Sequence, residues 1–224
     1  MKKPNLRRVA RALLLAVLAF YAACLLALVY LRFLPPLTTM VQVQRRVESW
    51  FAPGAYHKRM TWVPLARLPR YVPHAVVAAE DTRFFQHHGF DFTELAAARA
   101  EAEREGEPPR GASTITQQLV KNLFLFTYRS WIRKGLELTL TPLAELVLGK
   151  QRILELYVNV VEWGPGVYGI EEAARYHYHE PAARLSRDQA ARLAAVIPAP
   201  RRRRPERMTR YAGIILGRMR AMGW

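Results

Sequence analysis

The sequence predicts an all-α domain that follows one N-terminal transmembrane helix. An uncharged apolar run covers residues 12–31. From Val72 onward, apolar residues recur at helical spacing, and no alternating run predicts a strand. We therefore expect a cytoplasmic basic N-terminus over 1–11, a transmembrane helix over 12–31, a juxtamembrane stem over 32–70 and a helical domain over 71–224.

The run over 12–31 is long enough to cross a bilayer, since about 20 helical residues span about 30 Å. Lys and Arg side chains precede it, which predicts a cytoplasmic N-terminus and a domain outside the cytoplasm. Pro35 and Pro36 end the helix. A cleaved signal peptide is the alternative, but its apolar region normally has about 7–15 residues. We expect a retained anchor.

The net charge of +16, from 34 Lys and Arg against 18 Asp and Glu, predicts an anionic partner. Nucleic acid, anionic lipid head groups and a phosphorylated substrate all fit, but the outward topology counts against nucleic acid. The basic run over 201–210 either contacts membrane lipids or forms a solvated tail. Cys24 is the single cysteine, which excludes an intrachain disulfide framework and a cysteine-based metal site.

The helices of the domain follow from apolar periodicity and from their end signals. Asp91, Ser113 and Ser130 are the expected N-caps, and Pro142 is expected to kink its helix. Residues 101–110 predict a mobile surface loop. The expected helices cover 72–80, 92–102, 113–124, 130–148, 150–160, 170–178, 187–196 and 205–222.

The first candidate for chemistry is Glu80, which follows the apolar stretch 75–79. A carboxylate at the end of a buried helix is partly desolvated, and its raised pKa suits a general base. The alternative is a structural ion pair of Glu80 with Arg83 or His87. Asp81 is expected to stabilise the turn that follows and is also a candidate for substrate binding. No ligand spacing supports a metal site in this segment.

The second candidate is a polar face on the helix expected to begin at Ser113. Ser113, Gln117 and Lys121 are four residues apart and share this face. Hydroxyls, amides, a cation and a helix N-terminus can bind phosphate or sugar oxygens. The alternative is a solvated polar face. The candidate residues are Ser113, Thr114, Gln117, Gln118, Lys121 and Asn122.

A third cluster combines three cations with one carboxylate: Arg129, Arg133, Lys134 and Glu137. Arg129, Arg133 and Glu137 have the spacing of one helix face. Cations around a single carboxylate suit an anionic leaving group. A surface salt-bridge ladder of little energetic value is the alternative.

These clusters, in this order, resemble the peptidoglycan glycosyltransferases of family 51, which include the N-terminal domains of bifunctional penicillin-binding proteins. The resemblance covers roughly residues 40–220. No second domain follows Trp224, so we expect a monofunctional member. The matching motifs are Glu80-Asp81-x-x-Phe84-x-x-His87-x-Gly89-x-Asp91, Gly111-x-Ser113-Thr114-Ile115-Thr116-Gln117-Gln118-x-x-Lys121-Asn122, Arg133-Lys134-x-x-Glu137 and Ile153-Leu154-x-x-Tyr157-x-Asn159.

The resemblance implies a lysozyme-like α-helical lobe, on the periplasmic side of a bacterial inner membrane, that polymerises lipid II. The growing glycan strand is then the donor, lipid II the acceptor and Glu80 the general base. Lys121, Arg129 and Arg133 would neutralise the departing pyrophosphate, with or without Mg²⁺ or Mn²⁺. Glu137 is the second important carboxylate, and phosphoglycolipids of the moenomycin type are expected in the donor site.

The resemblance also leaves alternatives open. A membrane-anchored lysozyme-like lytic enzyme would share the fold but would not need a phosphate-binding face. A non-catalytic scaffold of the division machinery would keep the fold without the chemistry, and the intact Glu80 and Lys121 argue against it. Cell-division proteins or penicillin-binding proteins are conceivable partners, and the sequence identifies none of them.

Overall fold

A computed structural model describes residues 6–51, 56–108 and 111–224. The chain is 66% helical, which confirms the all-α class. The ten α-helices of the described ranges are α1 Leu6–Phe33, α2 Met40–Ser49, α3 Tyr71–Glu80, α4 Phe92–Glu105, α5 Ile115–Phe124, α6 Trp131–Leu148, α7 Lys150–Val160, α8 Ile170–Tyr178, α9 Arg187–Ala194 and α10 Thr209–Ala221. Three short 3₁₀ helices cover Leu65–Arg67, Ala182–Arg184 and Pro205–Arg207.

A small three-stranded sheet corrects the expectation that the domain has no strands. Its strands are β1 Arg59–Met60, β2 Glu162–Gly164 and β3 Val167–Tyr168. β3 lies in the middle, parallel to β1 and antiparallel to β2. Strands of two or three residues are too short to show the alternation that identifies a strand in sequence.

Helix α1 is long and apolar enough to cross a membrane, and no other helix in the described ranges meets that test. Most of its side chains are exposed, but Cys24, Leu28 and Leu31 are buried where α1 packs along α6. The Arg152 side chain donates hydrogen bonds to the carbonyl oxygens of Leu31 and Leu34, at 2.8 Å each. The C-terminal end of the predicted transmembrane helix is therefore hydrogen-bonded to the domain.

Helix α5 begins one residue later than predicted, because its N-cap is Thr114 and not Ser113. The Thr114 hydroxyl accepts a hydrogen bond from the Gln117 amide nitrogen, and the Gln117 side chain accepts one from the Thr114 amide. This reciprocal capping box satisfies two amides that a helix end otherwise leaves unpaired. Ser113 lies outside the helix and is exposed.

Other helix ends agree with the sequence or differ by a few residues. Asp91 and Ser130 cap their helices as predicted, and α6 continues as one α-helix through Pro142. The predicted loop over 101–110 is helical as far as Glu105, where Gly106 ends α4 in the left-handed conformation. The last predicted helix is divided into a 3₁₀ turn and α10.

The core has two packing centres. Helix α3 packs against α9 and α10, and α5 packs against α6, α7 and α2. The largest fully buried side chains include Trp163, Tyr157, Tyr168 and Phe84. The C-terminal end of α3 and the N-terminal half of α5 lie on the same cleft, so this packing determines the position of their polar side chains.

Candidate active site

A cleft of about 910 Å³ lies between the end of α3 and α5 on one side and α10 on the other. Glu80, Gln118, Lys121 and Arg129 are part of its lining. The structure therefore brings together residues from all three predicted clusters. Two separate chain segments, residues 197–198 and helix α10, contribute the opposite wall.

Glu80 is the last residue of α3, directly after a run of buried residues, and its side chain is half-buried in the cleft. Burial raises the pKa of Glu80, while the hydrogen bond from Gln118 and the charges of Lys121 and Arg203 oppose that rise. The Gln118 side-chain nitrogen donates to Glu80 Oε2 at 2.7 Å. The predicted ion pairs of Glu80 with Arg83 or His87 do not form among the described residues, since Arg83 pairs with Asp91 and His87 with Asp81.

Asp81 is buried and stabilises the turn after Glu80. Its carboxylate accepts hydrogen bonds from the Ile115 amide at 3.0 Å and from His87 Nε2 at 3.0 Å. His87 Nδ1 accepts from the Gly89 amide at 3.2 Å, so the ring proton lies on Nε2. Asp81 thus connects the end of α3 to the start of α5.

Three potential metal ligands, Asp81, His87 and Asp91, lie within 4.8 Å of one another. Their polar atoms already have protein partners: His87 bonds Asp81, and Asp91 caps α4 and pairs with Arg83. This arrangement is a network of hydrogen bonds and an ion pair that stabilises the turn. The donor set does not fit a metal ion as it is arranged.

The residues predicted on α5 divide into two groups. Gln118 and Lys121 line the cleft, as do Ser113 and Thr114 just before the helix. Gln117 is buried in the capping box, and the Asn122 side chain donates to the Gln118 carbonyl oxygen at 2.8 Å. Gln117 and Asn122 therefore stabilise α5 through these contacts, and substrate binding by them stays a prediction.

Lys121 and Arg129 supply positive charge to the cleft. Neither side chain makes a hydrogen bond or an ion pair within the described ranges, so both cations are available to a ligand. Burial lowers the pKa of Lys121. Arg129 precedes the N-cap Ser130, so it lies in the loop before α6 and not on the helix face that the spacing predicted.

Arg133, Lys134 and Glu137 form a cluster of their own on α6. Arg133 Nη1 lies 2.7 Å from Glu137 Oε2, and the Lys134 ammonium contacts the other carboxylate oxygen. Glu137 is buried, and both of its oxygens are engaged by cations. The carboxylate is thus not free to ligate Mg²⁺ or Mn²⁺ in this arrangement, and a divalent ion at the pyrophosphate stays a prediction.

Several residues of the site carry no role in the sequence prediction. Tyr211 and Arg218 of α10 line the cleft, and Arg218 also donates to the Ala78 carbonyl oxygen at 3.1 Å. Tyr157 of α7 lies behind the cleft and hydrogen-bonds Gln118. Tyr157 is part of one of the motifs that carry the family resemblance, and this is the one sequence feature that could have indicated a role for it. The α10 residues lie too far along the chain for local pattern to connect them with Glu80.

The cleft of this helical domain combines a half-buried carboxylate with two cations, an arrangement typical of an enzyme active site for an anionic ligand. The chain belongs to the transglycosylase family, whose profile matches residues 46–220. This membership confirms the family resemblance, the all-α fold class and the enzyme class.

Curated relatives agree over most of the chain. It is 46% identical to a biosynthetic peptidoglycan transglycosylase of Pseudomonas entomophila, over 97% of this chain and 92% of the relative. Proteins of the same name from Pseudomonas aeruginosa and Chromohalobacter salexigens are 48% and 46% identical, over 87% and 94% of this chain and 84% and 90% of the relatives. An apolar N-terminal helix fits a membrane-anchored member of this family.

Proposed function

We propose that this chain polymerises lipid II into β-1,4-linked glycan strands and releases undecaprenyl pyrophosphate. The observation that supports this proposal most directly is the cleft itself. It is lined by a half-buried carboxylate, Glu80, and by two cations, Lys121 and Arg129, whose side chains make no hydrogen bond or ion pair in the described ranges. A base and a phosphate-binding pair are the two parts that such a transfer needs.

The proposed reaction is a single inverting displacement. Glu80 removes the proton from the 4-hydroxyl of the acceptor lipid II as that oxygen attacks C1 of the donor strand. The new C1–O4 bond forms while the bond from C1 to the phosphate oxygen breaks, and the pyrophosphate leaves with the electron pair. One inversion converts an α-linked donor into a β-linked product, so no carboxylate nucleophile is required.

Charge neutralisation is the second requirement, because negative charge develops on the pyrophosphate as it leaves. Lys121 and Arg129 supply it, and Arg133, Lys134 and the buried Glu137 form an ion-pair cluster in the first two turns of α6, close to Arg129 in the chain. The proposed steps use no metal ion.

We further propose that α1 anchors the enzyme in a bacterial inner membrane with the cleft on the periplasmic side. Basic residues before the apolar run support this orientation. Arg201 and Arg202 are exposed and suit anionic lipid head groups, whereas Arg203 is partly buried over the Tyr211 ring and is not part of a solvated tail. Partners among cell-division or penicillin-binding proteins stay predictions.

Purified enzyme in detergent, incubated with lipid II, tests the proposal. The wild type should produce glycan polymer, and Glu80→Gln should keep its fold but lose about 10²–10⁴ in rate, the usual contribution of a general base. Cleavage of finished glycan without polymer formation would instead identify a lytic enzyme. Near-normal polymerisation by a folded Glu80→Gln protein would show that Glu80 is not the base.

A further inference from the structure

A chain of two hydrogen bonds connects a buried tyrosine to the cleft carboxylate. The Tyr157 hydroxyl donates to Gln118 Oε1 at 2.8 Å, and Gln118 Nε2 donates to Glu80 Oε2 at 2.7 Å. The three residues come from three helices, α7, α5 and α3. Tyr157 is fully buried, so it lies behind the cleft wall and not in the cleft.

The orientation of the Gln118 amide between Tyr157 and Glu80 follows from the donors and acceptors around it. A side-chain amide has one accepting end and one donating end, and either end of Gln118 could face Glu80. Tyr157 has a single proton, and Gln118 Oε1 is its one partner in the described ranges. The Glu80 carboxylate and the Ser113 carbonyl oxygen, which lies 3.4 Å from Gln118 Nε2, can only accept, so the NH₂ group faces them. The Tyr157 hydroxyl, which can donate, then supplies the proton that the amide oxygen accepts.

We propose that Tyr157 is a positioning residue for the transfer reaction, which acts through Gln118 to hold the Glu80 carboxylate in its ionised, reactive state. This inference rests on the proposed role of Glu80 as the base. The hydrogen bond that the phenol donates to the amide oxygen polarises the amide, which strengthens the hydrogen bond that the NH₂ group donates to the carboxylate.

The charged groups around Glu80 show why one hydrogen bond matters. Burial favours the protonated form and the neighbouring Asp81 adds to it, while Lys121 from α5 and Arg203 from the loop before α10 favour the carboxylate. The amide of Gln118 is the one neutral donor to Glu80 in the described ranges. Burial also raises the pKa of Tyr157 well above its usual range, so the phenol remains a donor at working pH.

Tyr157→Phe tests the inference because it removes one hydroxyl and keeps the ring in place. We expect kcat for lipid II polymerisation to fall about tenfold, equivalent to about 1.4 kcal/mol, with little change in KM. The acid limb of the pH–rate profile should move to higher pH, because the hydrogen bond from Gln118 to the carboxylate becomes weaker. The alkaline limb should not move.

Tyr168→Phe is the matched control. Tyr168 is equally buried, and its hydroxyl bonds Tyr56 at 3.0 Å, away from the cleft lining. This variant should lose stability to a similar degree, measured by thermal unfolding, without any shift of the acid limb. A loss of activity that came only from loosened packing would affect both variants alike.

A double-mutant cycle with Gln118→Leu completes the test. Gln118→Leu alone should move the acid limb of the pH–rate profile to higher pH. Adding Tyr157→Phe to this variant should change neither kcat nor the position of the acid limb further. An unmoved acid limb in Tyr157→Phe, or equal losses in both backgrounds, would overturn the inference. If Tyr157→Phe does not fold, an unmoved limb in Gln118→Leu overturns it equally. Failure of the proposed base itself is distinguished by Glu80→Gln, which would then remain active.

Discussion

Removal of the Lys121 charge is the most direct test of how the cleft binds the leaving group. Lys121 lies deep in the cleft and pairs with no carboxylate in the described ranges. Lys121→Met keeps most of the side-chain length and breaks no ion pair in the described ranges, so we expect the fold to persist. A charge contact made in the transition state is worth roughly 2.7–4 kcal/mol, so polymerisation should fall by about 10²–10³.

The assay follows polymer formed from lipid II and, separately, the affinity for a phosphoglycolipid of the moenomycin type. We expect Lys121→Met to bind this inhibitor more weakly than wild type, and Glu80→Gln to bind it nearly as well, since a lost base leaves the phosphate contacts intact. Arg184→Met, an exposed arginine on a 3₁₀ helix outside the cleft lining, serves as the control for lost charge. Unchanged inhibitor affinity and rate in Lys121→Met would show that this cation does not bind the donor phosphate.

Two further outcomes follow from the same geometry. The pH–rate profile should be bell-shaped and narrower than ordinary carboxyl and amine groups would give. The rate should fall at low pH as Glu80 is protonated, because its pKa is raised, and at high pH as Lys121 loses its proton, because its pKa is lowered. A rate that is flat through both regions contradicts the assignment. Gly89→Ala should destabilise the fold by about 1–3 kcal/mol, because φ is +95° and an added Cβ would lie 2.7 Å from the Thr141 methyl group. Gly106→Ala, which also has a positive φ but meets no atom within 4 Å, should cost less in thermal unfolding, and equal losses would contradict the steric explanation.

The sequence predicted the helices better than the contacts of the residues on them. Helices α7 and α8 match their predicted limits, because apolar periodicity and the glycines that precede them, Gly149 and Gly169, are local signals. The spacing of Ser113, Gln117 and Lys121 predicted one common face, and two of the three share the cleft. Ser113 and Lys121 line it, although Ser113 precedes the helix, whereas Gln117 closes the capping box. Spacing cannot reveal which polar side chain a helix cap will engage.

Helix α2, in the segment predicted as a juxtamembrane stem, contacts the loop that carries Arg129. The candidate site residues predicted from the sequence all lie in the domain over 71–224, and none lies in this stem. The Gln44 side chain of α2 accepts from the Thr127 amide at 2.8 Å and donates to its hydroxyl at 2.7 Å. Tyr128 also donates to Glu48, one helical turn further along α2, at 3.2 Å. These contacts fix the two residues directly before Arg129, so the stem helix determines where that cation enters the cleft. Gln44 and Thr127 are 83 residues apart. No local pattern connects them, which explains why the stem was predicted only as a connection between the membrane and the enzyme.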